Sequence, residues 1–217
     1  AEEAGARAPV LVSQARSYFA LAHSLLQPPQ ANLIALGGLS GSGKSTLAET
    51  LAPRIGLPPG ARIIESDRIR KSMHGVPPET RLPQSAYRPE VSVRVYQEIS
   101  WRTRLILARD GTVVADAVFD KAGNRELIER AADEKKCPFS GFWLEADPAL
   151  LWQRVEARTG GSSDATVEVL ADQLSKGKSA IDWTKLDAAH RPDELADEIL
   201  RQVAIGSANF VGIAEGI

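Results

Sequence analysis

Apolar residues Leu11, Ala15, Tyr18, Phe19, Ala22, Leu25 and Leu26 recur every three or four positions, which predicts an amphipathic helix stopped by Pro28-Pro29. It is expected to pack against the outside of the domain or to bridge to a further one. From Leu33 the period changes: an apolar run, 33–36, enters a glycine-rich stretch, and helical spacing follows from Lys44 to about Ile55, closed by Gly56 and Pro58-Pro59. A second buried strand is read at Ala61–Glu65, a short helix at Asp67–His74, a Pro-rich connection at Pro77–Pro89 and a long helix at Glu90–Arg109. Thr112–Ala115 and Phe139–Leu144 read as strands with a helix, Asn124–Lys135, between them. After Asp147-Pro148 a helix runs to about Arg158, Gly160-Gly161 breaks it, and Ala165–Leu174 is helical again. Trp183–Leu186 is a candidate fifth strand and Glu194–Val203 a last helix. Strands separated by helical crossovers pair in parallel and are covered on both faces.

This divides the chain into a linker and helix over 1–30, one α/β domain over 31–204 with a lid at about 154–178, and a tail over 205–217. The tail has no period and is expected to be disordered or foreign to the domain. At 217 residues, with 43% hydrophobic and 25% charged, the usage is that of a globular enzyme-sized domain rather than a disordered or membrane chain. The formal net charge of -2 gives no general attraction to nucleic acid or to anionic membrane. The chain opens Ala1-Glu2-Glu3, without the basic segment and apolar run of a signal peptide, and no apolar stretch approaches a membrane span. Cys137 is a single cysteine with no zinc-type cluster around it, so a reducing cytoplasm is the expected compartment. A first residue other than Met is what a piece of a longer protein would show.

The chemistry begins at Gly38. Gly38, Gly43, Lys44 and Ser45 satisfy G-x-x-x-x-G-K-[ST] between an apolar strand and a helix. Such a loop wraps anionic phosphates in backbone N–H groups, and side chains at the glycines would obstruct the backbone's approach. Gly38, Ser40, Gly41, Ser42, Gly43, Lys44, Ser45 and Thr46 are therefore the candidate nucleotide-binding residues, with ATP the expected nucleotide. Lys44 is expected on the β- and γ-phosphates and the Ser45 hydroxyl on Mg²⁺.

A phosphate loop alone does not separate a motor or switch from a kinase. Three further features do. Asp67 and Arg70 share a helix face at the end of the second strand, where a carboxylate is placed to take a hydroxyl proton and a guanidinium to hold the acceptor. Asp116 ends the apolar strand Thr112–Ala115, beside the loop, where it would meet either Mg²⁺ or the acceptor. Arg154 and Arg158, at i and i+4 before Gly160-Gly161, present two guanidinium groups beside a hinge and read as catalytic lid arginines.

These residues resemble the P-loop small-kinase group of polynucleotide 5′-kinase domains, zeta-toxin kinases and adenylate, shikimate and gluconate kinases, over Leu33 to about Leu200. The resemblance implies a P-loop NTPase three-layer α/β sandwich, its five-stranded parallel sheet in the order 2-3-1-4-5, with a lid. It also implies Asp67 as general base, Arg70 on the acceptor and Arg158, with Arg154 second, on the donor phosphates. Ala15 to Ala22, the phosphate loop, Asp116-Ala117-Val118-Phe119 and Ile181-Asp182-Trp183 further resemble the ATP-binding domain that forms the C-terminal half of certain bacterial proteins. The N-terminal half of those proteins looks like an aminoglycoside phosphotransferase, so a covalently fused domain of that kind is an implied partner.

The expectation is an ATP- and Mg²⁺-dependent kinase acting on a hydroxyl of a small molecule such as a sugar or aminosugar. The rivals are a polynucleotide or nucleotide-sugar kinase and a non-catalytic ATP-binding regulatory domain. No basic groove rich in aromatic residues accompanies the loop, which makes nucleic acid the weaker partner. His74, Arg81, Tyr87 and Arg88 are candidates for lining an acceptor pocket or for packing an irregular loop.

Overall fold

The structure is a computed structural model that describes residues 2–26, 30–157, 163–176 and 180–214, with the side chains of 2–8, 24 and 205–214 left aside. Five strands form one sheet: β1 (Asn32–Gly38), β2 (Arg62–Glu65), β3 (Thr112–Asp116), β4 (Phe139–Glu145) and β5 (Thr184–Asp187). Their order is β2-β3-β1-β4-β5 and every pairing is parallel, as the resemblance implies.

Period-2 alternation along a strand buried on both faces explains how β1 organises two cores. Leu33 and Ala35 join Val113, Ala115, Val95, Ile99, Leu107 and Ile128 on one face. Ile34 and Leu36 join Val114, Leu47, Leu51, Leu195 and Ile199 on the other. The first face is covered by α4 (Pro89–Leu107) and α5 (Ala122–Lys135), the second by α2 (Lys44–Leu51) and α8 (Pro192–Ala214). Each large apolar side chain so buried contributes about 1.5–3 kcal/mol. Cys137 lies half-buried against the first core.

An aromatic layer closes the first core at β4. The rings of Phe119 and Phe139 lie 5.1 and 5.8 Å from that of Trp183, whose Nε1 donates to Glu129 Oε1 at 2.6 Å. A Cβ on Gly141 would meet the Trp183 indole at 2.5 Å, so the glycine leaves the room the indole fills.

The two ends of the chain differ from the core in how far the hydrophobic pattern describes them. The N-terminal helix, α1 (Glu2–Leu25), starts before Leu11, and much of its apolar stripe is exposed: Tyr18 and Phe19 are each 74% exposed and Leu11 is 61% exposed, which leaves the bridging alternative standing over close packing on the domain. Both sheet faces are already covered by the other helices, which leaves its apolar stripe without a partner there. At the other end α8 continues to Ala214, into the stretch expected to be a structureless tail.

Among the described residues, no helix is long and apolar enough to cross a membrane.

Candidate active site

Parallel strands deliver their C-terminal ends to one edge of the sheet, and there the sequence-predicted residues meet. Leu36 is paired with Asp116, and Asp116 with Glu65 on the next strand, so β1, β3 and β2 end side by side. A cleft of about 1340 Å³ opens over them, lined by the phosphate loop at one end and by Asp67, Arg70, Tyr87 and Asp164 at the other.

The loop between β1 and α2 turns through two left-handed glycines, Gly41 at φ 83° and Gly43 at φ 92°. A side chain on Gly41 would meet the Leu151 carbonyl oxygen at 2.7 Å, because α6 (Pro148–Glu156) packs directly on the loop. Lys44 Nζ donates to the Leu39 carbonyl at 3.0 Å and to Ser42 Oγ at 3.4 Å, which holds it curled within the loop. Ser40 and Ser42 are buried in the turn, whereas Thr46 is exposed on the first turn of α2.

Ser45 Oγ donates to Asp116 Oδ2 at 2.6 Å. These two hard oxygen donors suit a divalent cation of the Mg²⁺ kind. Burial pushes the Asp116 carboxyl up to about 6, against the Lys44 charge and the Ser45 hydrogen bond, with Glu65 and Asp67 adding to the rise. A bound cation would reverse that shift by favouring the carboxylate.

Asp67 lies in the first turn of α3 (Ser66–Met73), directly after β2. The N-cap position belongs to Glu65, so Asp67 is not the helix's N-cap residue. Burial raises its pKa above the ordinary 3.8; a hydrogen bond with Ser163 opposes this, Glu65 adds to it, and the charges of Arg70 and Lys44 oppose it further. A raised carboxylate in a cleft, within the field of the phosphate-loop lysine, suits a general base.

Arg70 is placed differently from a free acceptor-binding side chain. It is buried, donates to the Ala86 carbonyl at 2.7 Å and to Ser92 Oγ at 3.4 Å, and its guanidinium lies 4.7 Å over the Tyr87 ring. Its Nε has no protein partner although it is buried at the cleft wall. The side chain thus supports the connection 77–89 while keeping one donor unpaired. Tyr87, Arg81 and Arg88 from that connection line the cleft, whereas His74 turns back, its Nδ1 2.8 Å from the Arg70 carbonyl.

On the lid side, Arg154 ends α6 with Nη1 3.8 Å from the point a Cβ on Gly43 would occupy, over the phosphate loop. Arg158 lies outside the described residues. The next described segment, from Ser163 into α7 (Val167–Lys176), spans the cleft: Gln173 Oε1 accepts from the Ser40 backbone N–H at 2.9 Å.

Sequence reasoning missed four residues here: Glu65, Lys71, Asp164 and Gln173. Lys71, only 1% exposed, pairs with Asp164 Oδ1 at 2.9 Å, while Asp164 Oδ2 accepts from Tyr87 Oη at 2.6 Å and Leu82 N at 2.9 Å. No motif marks them, since each partner comes from a different part of the chain. Glu65 carried one legible signal, an acid at the end of an apolar strand.

The parallel order 2-3-1-4-5, with a glycine-rich phosphate loop between β1 and α2, is a P-loop NTPase fold of the kinase type. The chain belongs to the AAA domain family, whose model matches residues 33–179. Uncharacterized proteins of Mycobacterium tuberculosis and Mycobacterium bovis are 29% identical to it over 207 residues, which cover 94% of this chain but 39% of theirs. The chain thus spans about two fifths of the length of these curated relatives. Among solved structures it is similar to a gluconokinase from Sinorhizobium meliloti, with a TM-score of 0.56 at 22% identity, covering 85% of this chain and 97% of that one. It is also similar to the APS kinase of Mycobacterium tuberculosis in complex with AMPPNP and APS, with a TM-score of 0.56 at 16% identity, covering 82% and 99%. At these identities the likeness shows the fold.

Proposed function

We propose that this chain is a cytoplasmic ATP-dependent kinase that transfers the γ-phosphoryl group to a hydroxyl of a small molecule, a sugar, aminosugar or related metabolite. The observation that carries the reading is Asp67: a carboxylate of raised pKa, not the N-cap of its helix, in one cleft with the phosphate loop and within the field of Lys44. A motor or switch needs an attacking water and no acceptor wall. Here the cleft extends well past the loop, to Tyr87 and Arg88. That the similar solved structures are named a gluconokinase and an APS kinase supports the same reading.

In the proposed step the acceptor hydroxyl gives its proton to the Asp67 carboxylate as its oxygen bonds to the γ-phosphorus. The bond from that phosphorus to the β,γ-bridging oxygen breaks, and ADP leaves. Lys44 and Arg154 neutralise charge on the transferring group, which is most of what a protein contributes to phosphoryl transfer. Mg²⁺, held through Ser45 and Asp116, would supply further neutralisation of the phosphate oxygens when bound. Arg70 would act on the acceptor side through the wall it braces, holding the Ala86 carbonyl and the Tyr87 ring in place.

The test is a screen of hydroxyl-bearing metabolites, aminosugars and aminoglycosides included, for ADP release and a product heavier by one phosphoryl group. Oligonucleotides with a 5′-hydroxyl form a separate arm. Acceptor-dependent ADP release from a small molecule is expected. Tight ATP binding with no acceptor-stimulated turnover in any arm would sink the kinase reading in favour of a regulatory domain.

A further inference from the structure

The buried ion pair between Lys71 and Asp164 lies at neither the phosphate loop nor the proposed base, and nothing in the transfer chemistry calls for it. Taking two charges out of water costs several kcal/mol per ion unless the remaining valences are filled. Here they are filled from the acceptor wall. Lys71 Nζ also donates to the Pro78 carbonyl at 2.5 Å, and Asp164 accepts from Tyr87 Oη and from the Leu82 backbone N–H. Arg70 clamps the same connection through the Ala86 carbonyl and the Tyr87 ring. Lys71, Arg70 and Asp164 thus each hold the connection 77–89 through a polar side chain.

Asp164 differs from the others in its origin. Lys71 and Arg70 come from α3 beneath the wall, whereas Asp164 leads into α7. The segment that carries it also binds Asp67 through Ser163 and the Ser40 N–H of the phosphate loop through Gln173 Oε1. One stretch, 163–173, therefore touches the phosphate loop, the proposed base and the acceptor wall. From this geometry we infer that Asp164 is a positioning residue that couples the two halves of the cleft, so that filling the nucleotide site orders the acceptor wall. The inference rests on the kinase reading above. Coupling between two sites is reciprocal, so acceptor binding must tighten nucleotide binding by the same factor.

Hydrogen–deuterium exchange on the full chain, with and without AMPPNP and Mg²⁺, tests it. In the wild type, AMPPNP is expected to slow exchange both at the phosphate loop and, by roughly tenfold, across 81–88, where the Leu82 amide donates to Asp164. In Asp164→Asn the slowing at 81–88 is expected to drop below about twofold while that at the loop persists. Equal protection of 81–88 in variant and wild type, or none there in the wild type, overturns the coupling. So does a difference between variant and wild type at 81–88 that has the same factor with and without AMPPNP, the mark of a merely structural residue. If AMPPNP protects nothing anywhere in the wild type, the kinase reading fails and the coupling with it. Should Asp164→Asn leave Lys71 too costly to bury, Tyr87→Phe keeps the ion pair, removes one hydrogen bond, and is expected to lower the protection by about threefold. Unaltered protection in a folded Tyr87→Phe counts against the coupling.

Discussion

The two ends of the cleft are built from different materials. The donor end is made of backbone: nine consecutive residues, Gly38 to Thr46, held in shape by left-handed glycines and by α6 pressed against Gly41. The acceptor end is made of side chains drawn from α3, the connection 77–89 and the entry to α7, and it is held by buried charge. A backbone site tolerates changes of side chain but not of conformation, whereas a side-chain site can be retuned one residue at a time. The difference teaches where a family with one fold can vary its acceptor without disturbing its nucleotide.

The sharpest way to break that contrast is at the base. Asp67→Ala is expected to lower kcat for acceptor phosphorylation by roughly 10²- to 10⁴-fold while AMPPNP affinity, read by calorimetry, stays within about twofold. Near-normal transfer in this variant would remove Asp67 from the mechanism. Gly41→Ala probes the other end. Its Cβ must contend with the Leu151 carbonyl at 2.7 Å and a φ of 83°, a strain of about 1–3 kcal/mol, and it is expected to weaken AMPPNP by about tenfold or more. A smaller change at the acceptor end, Tyr87→Phe, is expected to raise acceptor KM by about fivefold, worth about 1 kcal/mol, with nucleotide affinity held. If Gly41→Ala altered acceptor KM alone, or Tyr87→Phe altered nucleotide affinity alone, the division into two ends would be wrong.

The smallest effect concerns pH. Because the Asp67 pKa is raised in the folded state, the folded protein binds a proton more readily than the unfolded chain between the ordinary 3.8 and the raised value. Stability therefore falls as pH rises through that window, and the full cost of the buried carboxylate is present above it. Asp67→Asn is expected to raise Tm at pH 7.5, with the gain shrinking as pH is lowered toward 3.8, a comparison that differential scanning calorimetry makes directly. Loss of the acid limb of the rate profile should accompany it. A Tm unchanged at neutral pH would mean that the carboxylate is not held at a cost.

The same contrast governs what could be read before the structure. Parallel pairing followed from the helical crossovers and strand order from the resemblance alone, and the donor loop was legible because its function is written in contiguous residues with glycines at fixed offsets. Asp116 was legible because an apolar strand ends at it, and Asp67 and Arg154 because they lie close to the ends of a strand and a helix. The Lys71–Asp164 pair was not, since a bond from Asp164 to Tyr87 spans 77 residues and that to Leu82 spans 82. Arg70 was read as free for the acceptor because its burial depends on the fold of 77–89, a Pro-rich stretch without period. The exposed stripe of α1 shows the limit in the opposite sense: the pattern announces an apolar face but does not say which body, this domain or a further one, covers it.

The indole lying flat on Gly141 carries a prediction about descent. A Cβ at 141 would stand 2.5 Å from the Trp183 ring, so neither position is free to drift alone. Lineages that acquire any side chain at the strand position must already have traded the tryptophan for something smaller, and those that lose the tryptophan first are released to fill the gap from β4. Substitutions at the two sites are expected to come in that order and to be inherited together.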